Sequence, residues 1–430
     1  MPVTNLPNQL EFSEVLSCRL CGSRELNVVL GLPDTPFGDR YLPPGRGAEH
    51  ANLIPLEVVQ CSACNNFQTS VVVNVKSMYE HYLSRPAPVN QTLSAIYRDY
   101  AESLDALLGL TPSDLVVEIG SNDGFFSSHF AGKGVQCLGV DPAQNLSEVA
   151  LERGVRTMST FFTSAVANEI KVQNGNAKLI VSNMVAANVP DLDDFMSGIK
   201  NLLASDGIYA LETNYVLDVV DYMQLEVINH EHITYFSVTS LFEFFKKFGM
   251  EIFYVKRVPS KSGALRCYIQ HAGGKFDVKD SVLEAINFEQ NFGLFLPSVW
   301  NAMKSSVEHV KNASQKYFED KDKSQVVGYG TSIGATTILY ALEIGQAFSA
   351  LIDDDPYRQG LESPGHALPI VSKEKAFEEN SKTRFCAVLA PRYVDQILKN
   401  NSSALTSGVT FSRIWPFVEE VPNRSWQPAR

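Results

Sequence analysis

No apolar run in this 430-residue chain approaches the roughly 18 residues a bilayer span requires. There is also no cluster of Lys and Arg. The balance is acidic, with 36 Lys and Arg against 48 Asp and Glu, a net charge of −12. Nucleic acid rewards a basic face, so a macromolecular nucleic-acid partner is not expected. The opening residues show no charged region followed by an apolar one, so no signal peptide is expected and a cytoplasmic location is. Short-period repeats and low-complexity tracts are missing too. An odd count of seven cysteines, without a secretory leader, is a poor fit to a disulfide framework. With 45% hydrophobic and 20% charged residues, the chain reads as globular, and its length implies more than one core.

What is present falls into three regions, taken here as 1–75, 76–278 and 279–430. The first holds four of the cysteines in two C-x-x-C pairs, Cys18/Cys21 and Cys61/Cys64. Each pair can present two thiolates to one tetrahedral Zn²⁺, and four such ligands leave no open position, so a structural ion is expected. Short β-prone runs at 53–60 and 69–75 would bring the pairs together. A redox dithiol, or four free thiols, are the other readings open to such pairs.

The second region alternates short apolar strands with helices, the pattern of a parallel sheet covered on both faces. The run 115–119 leads into Glu118-Ile119-Gly120-Ser121-Asn122-Asp123-Gly124, a glycine-punctuated loop before a helix. Gly120 and Gly124 permit a tight turn and close backbone approach. The helix start offers N–H groups to a carboxylate. Asp141, about 20 residues further on at the end of the next strand, is placed to accept from ribose hydroxyls. An acid-x-Gly-x-Asn-Asp-Gly loop differs from the Gly-x-Gly-x-x-Gly of nicotinamide enzymes, and with a closing hairpin at 251–271 it points to S-adenosylmethionine. Cofactor contacts are expected from Glu118, Gly120, Asn122, Asp123, Asp141 and Asn183. Further on, Asn229-His230-Glu231-His232 crowds ionisable groups after the fifth strand. They fit a general base, a pair of metal ligands, or hydrogen-bonded loop residues, and the pattern leaves all three open.

The third region follows a long helical stretch at 280–320. It starts with Gly328-Tyr329-Gly330 after an apolar strand, and its second strand ends in Asp353-Asp354-Asp355, giving a smaller Rossmann-like unit. The expected class is therefore α/β, with a central Rossmann-like domain between a small N-terminal zinc-binding domain and a C-terminal second Rossmann-like domain.

Taken together, the double C-x-x-C, Pro55-Leu56, the segment 79–84, the Ser121-to-Gly124 loop, His230-Glu231-His232, Gly263-Ala264-Leu265-Arg266 and Gly328-Tyr329-Gly330 resemble the sugar C-methyltransferases that act on nucleotide-linked keto-deoxysugars. The resemblance spans nearly the whole chain. It implies that a base removes the proton beside a ketone and that the resulting carbon nucleophile takes the methyl group. It puts His232 first as base, with Glu231 and His230 beside it and Tyr82 contacting the sugar. Substrate contacts are implied at Tyr79, Asn188, Asn229 and Arg266, the last through a bidentate diphosphate contact. This chain has Asn229 where the family has Tyr, and Asn188 where it has His. Asn hydrogen-bonds a ketone or hydroxyl but cannot act as a base. Methyl transfer to oxygen or nitrogen of another scaffold, or binding of the cofactor without turnover, are the readings that compete.

Overall fold

The computed structural model describes residues 10–46, 52–74, 79, 91–260 and 263–421. Near the N-terminus, β1 (Phe12–Glu14) pairs with β5 (Val71–Val73), while β2 (Leu26–Thr35), β3 (Ile54–Cys61) and β4 (Phe67–Thr69) form an antiparallel sheet. Along β3 the side chains alternate between buried and half-buried, as expected of a sheet covered on one face.

The central sheet has seven strands. β6 (Leu115–Ile119), β7 (Gln136–Val140), β8 (Arg156–Met158), β9 (Ala177–Asn183) and β10 (Leu203–Thr213) are parallel, and every residue of β6 is buried. The short strand β11 (Thr234–Tyr235) leaves this sheet and pairs with β4 of the N-terminal module, which no local sequence pattern announced. β12 (Met250–Val258) and β13 (Ala264–His271) form the expected hairpin, giving the order β12-β13-β10-β9-β6-β7-β8. The chain reverses direction across the sheet between β6 and β9, and a parallel sheet opens a crevice at such a switch point. Helices cover both faces. In Leu192–Leu202, for example, Leu192, Phe195, Met196, Ile199 and Leu202 repeat at helical spacing and are buried, and the Asp191 side chain caps the helix by accepting from Asp194 N–H.

The stretch expected to be helical at 280–320 is two helices, Asp280–Phe292 and Pro297–Phe318. Pro297 has no N–H to donate and fixes the start of the second helix at its first turn. Beyond it lie β14 (Val326–Tyr329), β15 (Ala350–Ile352), β16 (Ile370–Val371), β17 (Phe385–Val388), β18 (Thr410–Arg413) and β19 (Glu419–Glu420). Their order is β16-β15-β14-β17-β18-β19, parallel apart from β19. No described helix is long and apolar enough to cross a membrane.

The three modules are tied together by specific bonds. Tyr41 donates to the Thr331 carbonyl, Arg392 pairs with Glu226 at 2.8 Å, and Thr337 donates to the Ile228 carbonyl at 2.8 Å.

Candidate active site and zinc centre

The four cysteines converge. Their Sγ atoms all lie within 4.8 Å of one another, with Cys18 to Cys64 at 3.5 Å and Cys21 to Cys61 at 3.6 Å. A zinc ion about 2.3 Å from each of four sulfurs at tetrahedral angles needs them a little under 4 Å apart, so this donor set fits Zn²⁺. The remaining cysteines, Cys137, Cys267 and Cys386, are buried and dispersed.

At the C-terminal ends of β6, β7 and β9 lies a cavity of about 760 Å³. Gly120 has a φ of 73°, and a Cβ there would sit 2.2 Å from Val185 Cγ2, so no other residue fits that turn. Asn122 takes a φ of 49°, which Asn tolerates better than most side chains. Its N–H donates to Asp141 Oδ2 at 2.8 Å, while Asp141 Oδ1 accepts from Ala143 N–H at 2.8 Å. Asp141 is thus locked by the backbone of two loops and faces the cavity. Asp123 also lines it and pairs with Arg153 at 2.7 Å.

Glu118 lies at the floor of the cavity. Its Oε2 accepts from Ser127 Oγ at 2.6 Å and from Ser127 N–H at 3.2 Å. Burial outweighs these bonds and pushes its carboxyl up to about 8.

Three other side chains on the wall of the cavity carry buried polar atoms without protein partners: both amide atoms of Asn183, Asn188 Oδ1 and Ser121 Oγ. Each such atom costs on the order of 1–3 kcal/mol when nothing satisfies it. Donors and acceptors aimed into a cavity with apolar walls (Phe125, Phe161, Phe162 and Val185 among them) suit a ligand with ribose, amino and carboxylate groups on a flat base. The residues fit S-adenosylmethionine. Phe161, Phe162 and Tyr97 were not singled out from sequence. The aromatic pair after the third strand was the available signal, whereas Tyr97 carried none.

The His-Glu-His segment is not among the described residues that line this cavity. It lies one strand over, at the end of β10. His232 Nδ1 faces the Val227 carbonyl at 2.7 Å. A carbonyl only accepts, so Nδ1 carries the proton and Nε2 keeps the lone pair, facing the Asn214 amide at 3.2 Å. Ile233 N–H donates to the Ala187 carbonyl at 2.9 Å, which ties this loop to the loop carrying Asn188.

The neighbours of His232 are occupied with architecture. His230 Nε2 meets the Pro55 carbonyl of β3 at 3.1 Å, and burial holds its ring below the usual histidine range. Asn229 organises the turn, with Oδ1 accepting from the N–H groups of Glu231 and His232 and Nδ2 donating to the Val227 carbonyl. Glu231 is buried.

Arg266, expected at a diphosphate, is 6% exposed; its Nε pairs with Glu212 across the β10–β13 ladder and its guanidinium stacks on Tyr100, 3.5 Å from the ring centroid. It is turned into the sheet. Tyr79 lines the cavity and meets the Phe161 ring edge-on. Tyr82 lies outside the described residues.

Comparison with known proteins gives three consecutive family matches. Residues 18–79 match a zinc binding domain, 93–255 a methyltransferase domain, and 259–416 the C-methyltransferase C-terminal domain. A curated relative is the C-methyltransferase NovU of Streptomyces niveus, 29% identical over 92% of this chain and 94% of its own length. Among solved structures, magnesium protoporphyrin IX methyltransferase of Synechocystis PCC 6803 with bound SAH is 14% identical, covering 45% of this chain and 92% of its own with a TM-score of 0.33. A Burkholderia thailandensis 1,6-didemethyltoxoflavin-N1-methyltransferase is 16% identical, covering 49% and 97% with a TM-score of 0.32.

Proposed function

Starting from a chain that is an S-adenosylmethionine-dependent methyltransferase with the domain set of C-methyltransferases, we propose that it methylates carbon beside the carbonyl of a nucleotide-activated keto-deoxysugar. The observation that carries this reading is His232, a histidine with a fixed tautomer held against the loop that walls the cofactor cavity.

Bound S-adenosylmethionine supplies an electrophilic methyl group. Glu118, Asp141, Asn183 and the backbone turn at Gly120 hold it. The chain's own chemistry is proton transfer. With the substrate displacing the Asn214 amide from which Nε2 accepts in the ligand-free chain, His232 Nε2 takes the proton from the carbon next to the ketone, and the Val227 carbonyl, already bonded to Nδ1–H, stabilises the imidazolium that results. The electron pair of the broken C–H bond moves into the enolate, whose carbon is the nucleophile. Asn188 Oδ1 accepts from a sugar hydroxyl, the contact open to a neutral amide. Walls of Phe and Val keep water from the cofactor cavity.

The test pairs two readouts. Incubation with methyl-labelled cofactor and a panel of keto-sugar nucleotides should give a product whose NMR spectrum shows the new methyl on carbon. In D₂O without cofactor, the wild type should exchange the proton beside the ketone. His232→Asn should lower both rates by about 10²–10⁴-fold while leaving cofactor affinity by calorimetry unchanged. A methyl on oxygen or nitrogen would overturn the carbon reading, and full exchange in His232→Asn would remove His232 as base.

A further inference from the structure

The wall of the cofactor cavity and the His232 loop meet at one residue of the zinc module. Arg19 stands between Cys18 and Cys21, inside the first knuckle. Its backbone N–H donates to Gln68 Oε1 at 2.9 Å. Its Nε donates to Thr234 Oγ1 at 3.0 Å, and its Nη2 to the Pro190 carbonyl at 2.8 Å and also to the Val189 carbonyl. Val189 and Pro190 line the cofactor cavity. Thr234 stands two residues after His232 and pairs with Gln68 in the β4–β11 ladder.

We propose that Arg19 is a positioning residue through which the zinc-held knuckle sets the spacing between the Val189–Pro190 wall and the His232 loop. A guanidinium is a rigid plane of five donors, so one side chain can bond acceptors on two loops and hold them at a fixed separation. The Val189–Pro190 segment has little to hold it otherwise: Val189 N–H reaches Ala186 only at 3.4 Å, and Pro190 has no N–H. A direct link between the two loops is Ile233 N–H to the Ala187 carbonyl, on the far side of Asn188. The knuckle backbone carrying Arg19 is closed by Gly22 N–H to the Cys18 carbonyl and Cys18 N–H to the Ser23 carbonyl. The four thiolates that fit Zn²⁺ therefore also fix where the guanidinium begins. On this account an ion held there would be structural in chemistry, while the knuckle it closes carries the side chain that bonds the cavity wall and the Thr234 strand.

The inference rests on the reading of His232 as base for its effect on turnover, but not for its effect on the cavity wall. The test uses the full zinc-loaded chain with Arg19→Ala and Arg19→Lys. Zinc content, cofactor affinity by calorimetry, kcat and acceptor KM are measured, together with hydrogen exchange at 186–190 and 232–236. With zinc retained, Arg19→Ala should weaken cofactor binding several-fold, roughly from the loss of charge-assisted bonds to the wall. It should lower kcat by about 10–100-fold, since a misplacement near 1 Å costs that much, and speed exchange in both segments. Arg19→Lys, which keeps one charged donor, should recover part of the cofactor affinity and less of kcat. Unchanged kcat, affinity and exchange in Arg19→Ala would overturn the proposal. If Arg19→Ala loses zinc, Thr234→Val decides, because it leaves the knuckle intact. A fall in kcat of about 2–10-fold, matching one lost hydrogen bond, supports the role, and an unchanged kcat overturns it. If His232→Asn keeps full turnover, the base assignment falls, while faster exchange and weaker cofactor binding in Arg19→Ala still identify Arg19 as the link to the wall.

Discussion

The molecule contains two Rossmann-like sheets, and the loop after the first strand of each has met a different fate. In the central sheet, the loop after β6 opens on a cavity, and Ser121, Asn183 and Asn188 present polar atoms that no protein group satisfies. In the C-terminal sheet, the equivalent loop after β14 is filled by the rest of the chain. Tyr41 bonds the Thr331 carbonyl, Thr331 bonds Asp353, Arg358 pairs with Asp353 at 3.3 Å, and a Cβ on Gly334 would lie 2.5 Å from Glu226 Cβ. The acid at the end of the second strand shows the same divergence. Both acids accept from the backbone N–H two residues on, Asp141 from Ala143 and Asp353 from Asp355, but Asp141 faces a cavity whereas Asp353 is covered by the Thr331 and Arg358 side chains. Similar topology therefore gives a ligand site in one place and a structural joint in the other, and the difference lies in what packs against the loop.

That contrast can be broken at several points. The largest effect is expected from Gly120→Ala, which drives a methyl group into Val185. Calorimetry should show cofactor affinity reduced by about 100-fold or more, taking the clash as several kcal/mol at 1.4 kcal/mol per factor of ten. Gly334→Ala, the counterpart, should leave cofactor affinity intact and lower stability by about 1–3 kcal/mol, the range for overpacking, measured by urea unfolding. Equal loss of cofactor binding in both variants would erase the distinction between the loops.

Next comes the buried pair under the central sheet. Arg266→Ala leaves the Glu212 carboxyl without its cation at 0% exposure and should cost about 3–5 kcal/mol in urea unfolding. Arg266→Met should cost less than Arg266→Ala, because it fills the volume. A loss of acceptor affinity without a loss of stability would instead return Arg266 to the substrate.

A smaller effect concerns two buried carboxyls, one at each loop. Burial raises Glu118 from 4.5 to about 8 and Asp39, beside Arg358, from 3.8 to about 6. A carboxyl whose folded pKa lies above its unfolded value binds more protons in the folded state between those two values. Stability therefore falls as pH rises through that window. For Glu118 the decline should run from about pH 4.5 to 8, and for Asp39 from about 4 to 6. Thermal unfolding of the ligand-free chain should lose part of the upper slope in Glu118→Gln and part of the lower slope in Asp39→Asn, each by a few degrees, about 2–4 °C per kcal/mol. Saturating cofactor should reduce the Glu118 contribution alone, because that carboxyl faces the cavity. A shift of both by cofactor would show that the two loops are coupled.

Much of this was legible locally. The apolar strand 115–119, the Gly120 turn and Asp141 are encoded within about 25 residues of each other, a span over which backbone propensity and strand burial act directly. The cysteine pairs likewise point to their chemistry by residue type and spacing, because two C-x-x-C pairs can present four thiolates to one tetrahedral ion. His232 was legible as a reactive type but not as a placed one. The partners that orient the two histidines of its segment are Val227, Asn214 and Pro55, of which only Val227 is close in sequence. Arg suits phosphate on a surface and a carboxylate in a core equally well, and the burial of Arg266 beside Glu212 is a tertiary fact that its residue type does not carry.

The sequence by itself determined the α/β class, the methyltransferase domain with its glycine turn at residues 120–124, and the four cysteines, Cys18, Cys21, Cys61 and Cys64, that cluster in the zinc-binding domain. Only the tertiary structure decided which of the two Rossmann-like loops stays open, which nitrogen of His232 keeps its lone pair, and that a strand of the central region completes the zinc module's sheet. The reason is range. A turn or a metal knuckle is set by neighbours a few residues apart, whereas the Arg19 bridge joins residues 215 apart, and no periodicity or propensity encodes a contact formed only after both modules have folded.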